Sequence, residues 1–174
     1  GQILMGLAVG VSEFGAAYRK AMTSAADWLV QTQDRDGCWR KHPSPFALPG
    51  EKTYEAHVSG GLFEAARMES SRGYAEAALA NIDWVLSQQD DGGWFAKCCL
   101  SDSANPLTHT LSYALRGLIA GYEFSRNRKL LVEAFRAAEG ALSALQPYGF
   151  LPGRLNRQWP GPFPRGCRPG AGQP

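Results

Sequence analysis

The chain has 174 residues, which suffices for one domain of ordinary size. Hydrophobic residues make up 44% and charged residues 20%, a balance that argues against disorder, collagen and coiled coil. The formal net charge of +2 gives no electrostatic reason to expect nucleic acid or an anionic membrane as a partner. The longest apolar run, residues 3–11, is too short to cross a bilayer, so we expect no membrane span.

A shift in composition near residue 154 divides the chain. The sequence predicts a single repeat domain over residues 1–153 and an irregular tail over residues 154–174. The tail holds four arginines, no acidic residue and five of the 11 prolines, and proline cannot continue a helix. Three interpretations of the tail stay open: a basic docking segment, a disordered end, or a reading-frame slip in a GC-rich gene.

The four cysteines do not suggest a metal site. Cys38, Cys98, Cys99 and Cys167 form no C-x-x-C pair, and adjacent side chains point apart, so two neighbours rarely ligate one ion. We expect reduced thiols, which are typical of a cytoplasmic protein. We also expect no cofactor, because the chain carries no phosphate-binding loop and no dinucleotide fingerprint.

The sequence contains an internal repeat. Residues 26–30 return as residues 82–86, an offset of 56. Trp39 pairs with Trp94 at an offset of 55, which predicts that the second loop is one residue shorter than the first. A weaker third copy continues the register, with Phe150 at the position of Trp94. Further matches at an offset of 56 are Tyr18 with Tyr74, Gln33 with Gln89, Gly61 with Gly117, Leu130 with Tyr74, and Glu139 with Asp83.

Each copy of the repeat contains two helical patterns. In the second copy, apolar residues at helical spacing predict a helix over 75–89, which the turn residues 90–93 end. Asn105 and Pro106 are typical of a helix start, and the next apolar stripe runs to Tyr122. The repeat is therefore a helix, a loop containing glycine and tryptophan, and a second helix.

The first residues of the chain continue the same register. Gly6 and Gly10 align with Gly117 and Gly121, which places the start of the chain inside the second helix of an earlier repeat. No stretch of any length shows the alternation typical of a strand. The sequence therefore predicts an all-α fold of helical hairpins, with about two complete hairpins and half a repeat at each end.

The loops between the helices resemble those of a known family. Residues 33–39 (Gln-Asp-Arg-Asp-Gly-Cys-Trp) and 89–94 (Gln-Asp-Asp-Gly-Gly-Trp) resemble the Gln/Gly/Trp signature of the α/α-toroid superfamily. That superfamily includes squalene and terpene cyclases, prenyltransferase β subunits and carbohydrate-active (α/α) barrels, and the chain is most similar to its polysaccharide-associated members. The resemblance implies a ring of usually six hairpins, whose second helices line a central cavity. An incomplete ring exposes apolar edges, so we expect self-association or a longer chain.

The second helices carry a polar face, which forms the candidate site. His109, Tyr113 and Arg116 lie at helical spacing, and the alignment places His57 with Tyr113 and Thr53 with His109. A hydrogen-bonding lining suits a saccharide better than a hydrocarbon, and basic groups favour the carboxylate of a uronic acid. The predicted catalytic residues are Asp102, His109, His57 and Tyr113, and the predicted substrate-binding residues are Trp39, Trp94, Arg116, Lys97 and Glu55.

Three functions from different classes stay open. The first is a carbohydrate-binding or carbohydrate-processing protein, of the glycoside hydrolase or lyase type if it is an enzyme. The second is a non-catalytic helical scaffold that binds another protein or its own copy. The third is an isoprenoid cyclase or transferase. The third is disfavoured because the paired aspartates Asp90 and Asp91 lie in a structural loop, and because Asp102, Cys98 and His109 lack the spacing of the family's zinc set.

Overall fold

The computed structural model describes residues 1–146 and 148–159, and the predicted tail lies outside these residues from position 160 onward. The part of the chain that it describes is helical and contains two isolated β-bridges but no strand, which confirms the predicted all-α class. Short 3-10 turns at Gly15–Tyr18 and Thr53–Glu55 lead into the second and third α-helices. The six α-helices are α1 (Gln2–Phe14), α2 (Arg19–Thr32), α3 (Ala56–Met68), α4 (Tyr74–Leu86), α5 (Thr108–Ser125) and α6 (Arg128–Ser143).

The six helices form two layers. Helices α1, α3 and α5 lie side by side in what we call the front layer, because α3 packs against both of the others. Helices α2, α4 and α6 form the back layer, and each packs against the front-layer helix that precedes it in the chain. The ring that the toroid resemblance implies stays a prediction.

Glycine allows the front-layer helices to approach closely. An added Cβ at Gly117 of α5 would lie 2.5 Å from the Cβ of Ala56, and one at Gly61 of α3 would lie 2.8 Å from the carbonyl oxygen of Gly1. Both distances are shorter than any real contact of a Cβ, so a side chain would force the helices apart. The role of these glycines is therefore packing.

The loops after α2 and α4 dock on the next back-layer helix through backbone atoms. The Gln33 side-chain amide donates to the carbonyl oxygen of Gly37 at 2.9 Å and to that of Ala77 in α4 at 2.8 Å. The Gln89 amide makes the same two bonds one repeat later, at 3.3 Å and 3.0 Å, with its second acceptor in α6. Every donor and acceptor shifts by 56 residues, so the two loops are structural copies.

Both loops contain a glycine in the left-handed region, pressed against the next helix. Gly37 has φ 88° and Gly93 has φ 83°. An added Cβ would lie 2.2 Å from the Ala80 carbonyl oxygen at the first position and 2.7 Å from the Arg136 carbonyl carbon at the second. Each site therefore requires glycine for its backbone conformation and again for the approach of the next helix.

The two loops have the same length, which corrects one prediction. The Asp34 amide donates to the Cys38 carbonyl at 2.8 Å, and the Asp90 amide donates to the Trp94 carbonyl at 2.9 Å. Trp94 is thus equivalent to Cys38, and Trp39 is equivalent to the residue after Trp94. Pairing the two tryptophans at an offset of 55 is wrong, because backbone hydrogen bonds rather than side-chain identity set the register of the loop.

Helix α5 begins at Thr108, two residues after the predicted start. The Asp102 carboxylate instead accepts the backbone amides of Ala104 and Asn105, at 3.0 Å and 3.1 Å. This local turn occupies the residues before the helix, so Asn105 does not cap it.

The residue equivalent to Thr53 also differs from the prediction. The Thr53 hydroxyl donates to the Ala96 carbonyl at 2.6 Å, and the Thr108 hydroxyl donates to the Pro152 carbonyl at 2.5 Å. By this contact the equivalent of Thr53 is Thr108 rather than His109. His109 therefore lies one residue after the threonine that is bonded at the start of α5.

Candidate functional site

Three side chains of the predicted polar face meet between α3 and α5. The His57 ring stacks on the Tyr113 ring, with centroids 4.5 Å apart and planes inclined by 29°. His109 meets the same tyrosine edge-on, at 4.4 Å and 66°. His109 and Tyr113 lie one turn apart on α5, and His57 lies in the first turn of α3. We call these three residues the His–Tyr–His cluster.

The hydrogen bond made by His57 fixes which ring nitrogen is free. Its Nδ1 lies 2.8 Å from the Tyr54 carbonyl oxygen. Because a carbonyl only accepts, Nδ1 carries the proton and Nε2 keeps its lone pair in the neutral ring. Burial lowers the pKa of His57, and the charges of Arg116 and His109 lower it further, against the opposing effect of the Tyr54 hydrogen bond. His57 is therefore a neutral imidazole at pH 7, with one nitrogen able to accept a proton.

Arg116 adds positive charge to the same face. It follows Tyr113 by three residues on α5, so the two side chains lie on one side of the helix. Its guanidinium is exposed and close enough to His57 to influence that residue's pKa. An exposed guanidinium beside a neutral imidazole and a phenol can bind a carboxylate and exchange a proton at the same place.

A second surface lies beside the start of α3. It is a groove of about 200 Å³. Trp28 is 48% exposed there, and its ring stacks on His42 with centroids 5.0 Å apart. Glu55, at the end of the 3-10 turn that precedes α3, lines this groove, and His57 does not. The groove is lined by Gly1, Trp28, Leu29, Thr32, Trp39, Lys41, His42, Glu55 and Val58.

Glu55 is the carboxyl group of the groove. Burial raises the pKa of Glu55, while the Lys52 ammonium, 2.8 Å from its Oε1, acts in the opposite direction. Both side chains of this ion pair are largely shielded from solvent. Glu55 is thus ion-paired with Lys52. The residues of the His–Tyr–His cluster do not line the groove that contains Glu55.

Asp102 and Lys97, both predicted site residues, have local roles. The Asn105 side chain at 3.2 Å, together with the two backbone amide bonds, lowers the pKa of the Asp102 carboxyl. Lys97 is exposed with φ 54°, and its carbonyl accepts the backbone amides of Lys52 and Thr53, each at 2.9 Å. Within the described residues, these bonds of Asp102 and Lys97 do not involve the His–Tyr–His cluster.

The two predicted sugar-stacking tryptophans are both buried. Trp39 is 8% exposed and its indole nitrogen donates to the Leu29 carbonyl at 2.8 Å. Trp94 is also 8% exposed and packs edge-on against Trp159, with centroids 5.2 Å apart. These rings offer little free face to a ligand, whereas Trp28, which the sequence analysis did not select, offers much more.

Sequence reasoning also missed a buried polar segment just before α3. Residues 51–54 are all buried, although two of them are charged. The Glu51 carboxylate accepts the Cys99 amide at 3.1 Å and the Ser103 hydroxyl at 3.0 Å, while the Tyr54 hydroxyl has no partner. A short polar run before a helix normally indicates an exposed loop, so the sequence carries no signal for this burial.

The cysteines that the structure describes are free thiols in buried positions. Burial raises the pKa of Cys38 to about 11 and that of Cys98 to about 12. Within residues 1–146 and 148–159, no three His, Cys, Asp or Glu side chains come together as a group that could hold a metal ion. In the same residues, no helix is both long and apolar enough to cross a membrane.

No protein-family model matches this chain, and no curated protein matches it either. The toroid resemblance and its functional implications therefore rest on the repeat and the loop signature alone.

Proposed function

We propose that the chain binds a uronic-acid-containing saccharide at the His–Tyr–His cluster and cleaves it by β-elimination. The observation that carries this proposal is the meeting of a neutral histidine, a tyrosine and an exposed arginine on one face of α3 and α5. The guanidinium pairs with the sugar carboxylate, and the imidazole and phenol supply the two proton-transfer groups.

The choice of elimination over hydrolysis follows from the carboxyl groups. Glycoside hydrolysis ordinarily uses two carboxyl side chains that flank the scissile bond. The cluster contains none, Glu55 is held in an ion pair with Lys52, and Asp102 is held in a turn. Elimination needs no carboxylate pair, since it begins with removal of an acidic proton from the carbon next to the substrate's own carboxylate.

The proton balance assigns a role to each group. His57 Nε2 takes the proton from the carbon beside the carboxylate, the glycosidic C–O bond at the next carbon breaks, and a C=C bond forms between the two carbons. The Tyr113 hydroxyl gives its proton to the departing oxygen. Arg116 neutralises the carboxylate, which makes the abstracted proton more acidic, and His109 holds the Tyr113 ring from its edge.

Titration with defined uronic acid oligosaccharides tests binding, and the ultraviolet absorbance of the unsaturated product tests cleavage. Arg116→Gln should weaken binding about 10- to 100-fold, because a charge-assisted pair is lost. Arg128→Gln, an exposed arginine at the start of α6, is the matched control and should bind normally. His57→Gln should bind normally but cleave about 100-fold more slowly.

The pH profile provides an independent readout. The base must be unprotonated, so the rate should fall as pH drops through the lowered pKa of His57, below pH 6.5. Arg116→Gln should move this acid limb to higher pH, because the positive charge of Arg116 lowers the pKa of His57. If no uronic acid oligosaccharide binds the unmutated chain, the proposal is wrong. Binding without formation of the unsaturated product would show that the chain does not catalyse elimination.

A further inference from the structure

The loop after α6 repeats the backbone of the two docked loops, but none of the described helices docks against it. The Gln146 amide donates to the Phe150 carbonyl at 2.9 Å, as Asp90 does to Trp94, which confirms that Phe150 is equivalent to Trp94. Gly149 has a φ of 77°, and its equivalents Gly37 and Gly93 also have positive φ. At Gly149, however, no atom of the described residues lies within 4 Å of the position that a Cβ would take. This loop therefore has the conformation of a docking loop and the space for one more back-layer helix.

The face of α6 beside this loop is apolar and exposed. Phe135 and Leu142 are 60% and 61% exposed. One repeat earlier, the equivalent residues Leu79 and Leu86 pack against the core. We call this end of the molecule, made of α5, α6 and the loop after α6, the tail face.

The opposite end shows the complementary gap. In α3 and α5, Gly61 and Gly117 receive the preceding front-layer helix, whereas the equivalent Gly6 in α1 has no atom within 4 Å of its Cβ position. Beside it, Ile3 and Val9 are 80% and 58% exposed. We call this end, made of α1 and α2, the head face. Within residues 1–146 and 148–159, each end thus carries the open half of an interface that is filled twice between helices of one copy.

One side-chain contact marks the register of the first internal interface, between α2 and α4. The Tyr74 hydroxyl at the start of α4 donates to the Asp27 carboxylate of α2 at 2.6 Å. One repeat before Tyr74 stands Tyr18, which is 44% exposed on the head face. Two repeats after Asp27 stands Glu139, which is exposed on α6 in the tail face. The head face therefore has a tyrosine, and the tail face has a carboxylate, at the positions equivalent to Tyr74 and Asp27 of the internal hydrogen bond.

We propose that the tail face of one copy binds the head face of a second copy, in the register of the internal repeat. The Tyr18 hydroxyl of one copy then donates to the Glu139 carboxylate of the other. The loop containing Gly149 docks on the backbone of α2 at Ser24 and Ala25, which lie one repeat before the residues of α4 that meet Gly37. Such a head-to-tail contact uses two different surfaces, so a copy can bind one neighbour at each end.

Sedimentation of two end-blocked variants tests the polarity of this contact. Gly6→Gln places a polar side chain where a partner helix must approach, in space that is open within one copy, so folding is unaffected. Phe135→Arg charges the tail face at an exposed position. The unmutated chain should sediment at twice its mass of 18.9 kDa or more, each variant alone should be monomeric, and a mixture of the two should form a one-to-one complex.

Control variants distinguish this interface from nonspecific hydrophobic association. Phe46→Arg removes another highly exposed apolar ring, outside both end faces, and should leave association intact. Tyr18→Phe should weaken association about tenfold without lowering stability, whereas Tyr74→Phe should lower stability without affecting association. An unmutated chain that stays monomeric, a Gly6→Gln variant that still associates, or two variants that do not combine would each overturn the proposal.

Discussion

The loops after α2 and α6 have the same backbone fold but different surroundings. In the first, Gln33 and Gly37 contact the backbone of α4, and in the third, Leu145 stands in place of the glutamine and Gly149 faces open space. The local hydrogen bonds are equal, 2.8 Å at Asp34 and 2.9 Å at Gln146. The loop conformation is therefore a local property, whereas its contribution to stability depends on the helix that docks on it.

Glycine replacement should give the largest difference between the two loops. Gly37→Ala should lower the free energy of unfolding by about 3 to 5 kcal/mol, because the new Cβ is strained at positive φ and also collides with α4. Gly149→Ala has the same strain without the collision and should cost about 1 kcal/mol. Urea unfolding of both variants measures the difference. Equal losses would mean that the docking contact adds nothing.

Exchange of the glutamine should give a smaller difference in the same direction. Gln33→Leu gives the first loop the residue of the third and removes two hydrogen bonds, at a cost of about 1 to 3 kcal/mol. Leu145→Gln makes the reverse change where no acceptor helix is present, so stability should change by less than about 0.5 kcal/mol. Thermal and urea unfolding provide the test. A neutral Gln33→Leu variant would show that the Gly37 contact alone holds the loop.

The smallest effect should come from the exposed ion pair between Asp36 and Arg40 in the first loop. Arg40 hydrogen bonds, at 2.7 Å and 2.8 Å, hold the pKa of Asp36 to about 2, below its ordinary 3.8. A lowered folded pKa stabilises the fold above the unfolded value, so this contribution is lost as pH falls from about 4 to about 2. Because both groups are exposed, we expect about 0.5 kcal/mol or less.

The free energy of unfolding of Asp36→Asn, compared with that of the unmutated chain as a function of pH, isolates the contribution of this ion pair to stability. The two stability curves should differ above pH 4 and converge near pH 2. Curves that stay parallel throughout would mean that the ion pair does not contribute.

The helices and their repeat could be predicted because both follow from apolar spacing and from matched residues at an offset of 56. The same spacing placed His109 and Tyr113 on one face of α5, and the alignment added His57 from α3. The loop register could not be obtained from identity, since the backbone contact pairs Trp94 with Cys38. Which aromatic rings are exposed could not be predicted either, because contacts between residues distant in the sequence determine it.

The exposed Trp28 and the buried Trp94 illustrate this last limit. Both are tryptophans next to a loop, and only the tertiary neighbours distinguish them: Trp159 covers Trp94, while Trp28 stacks on a single histidine. Likewise, the burial of Glu51 depends on Cys99 and Ser103, about 50 residues away in the chain. No local pattern encodes such partners.

Native-state hydrogen exchange tests the docking of the loops most directly. The amides of Asp34, Asp90 and Gln146 make the same bond in the three copies, so they report the stability of each loop with matched chemistry. Asp34 and Asp90 should exchange only through global unfolding, and Gln146 should exchange at least about tenfold faster through local opening. Equal protection at all three amides would contradict the account, because the undocked loop would then be as stable as the docked ones.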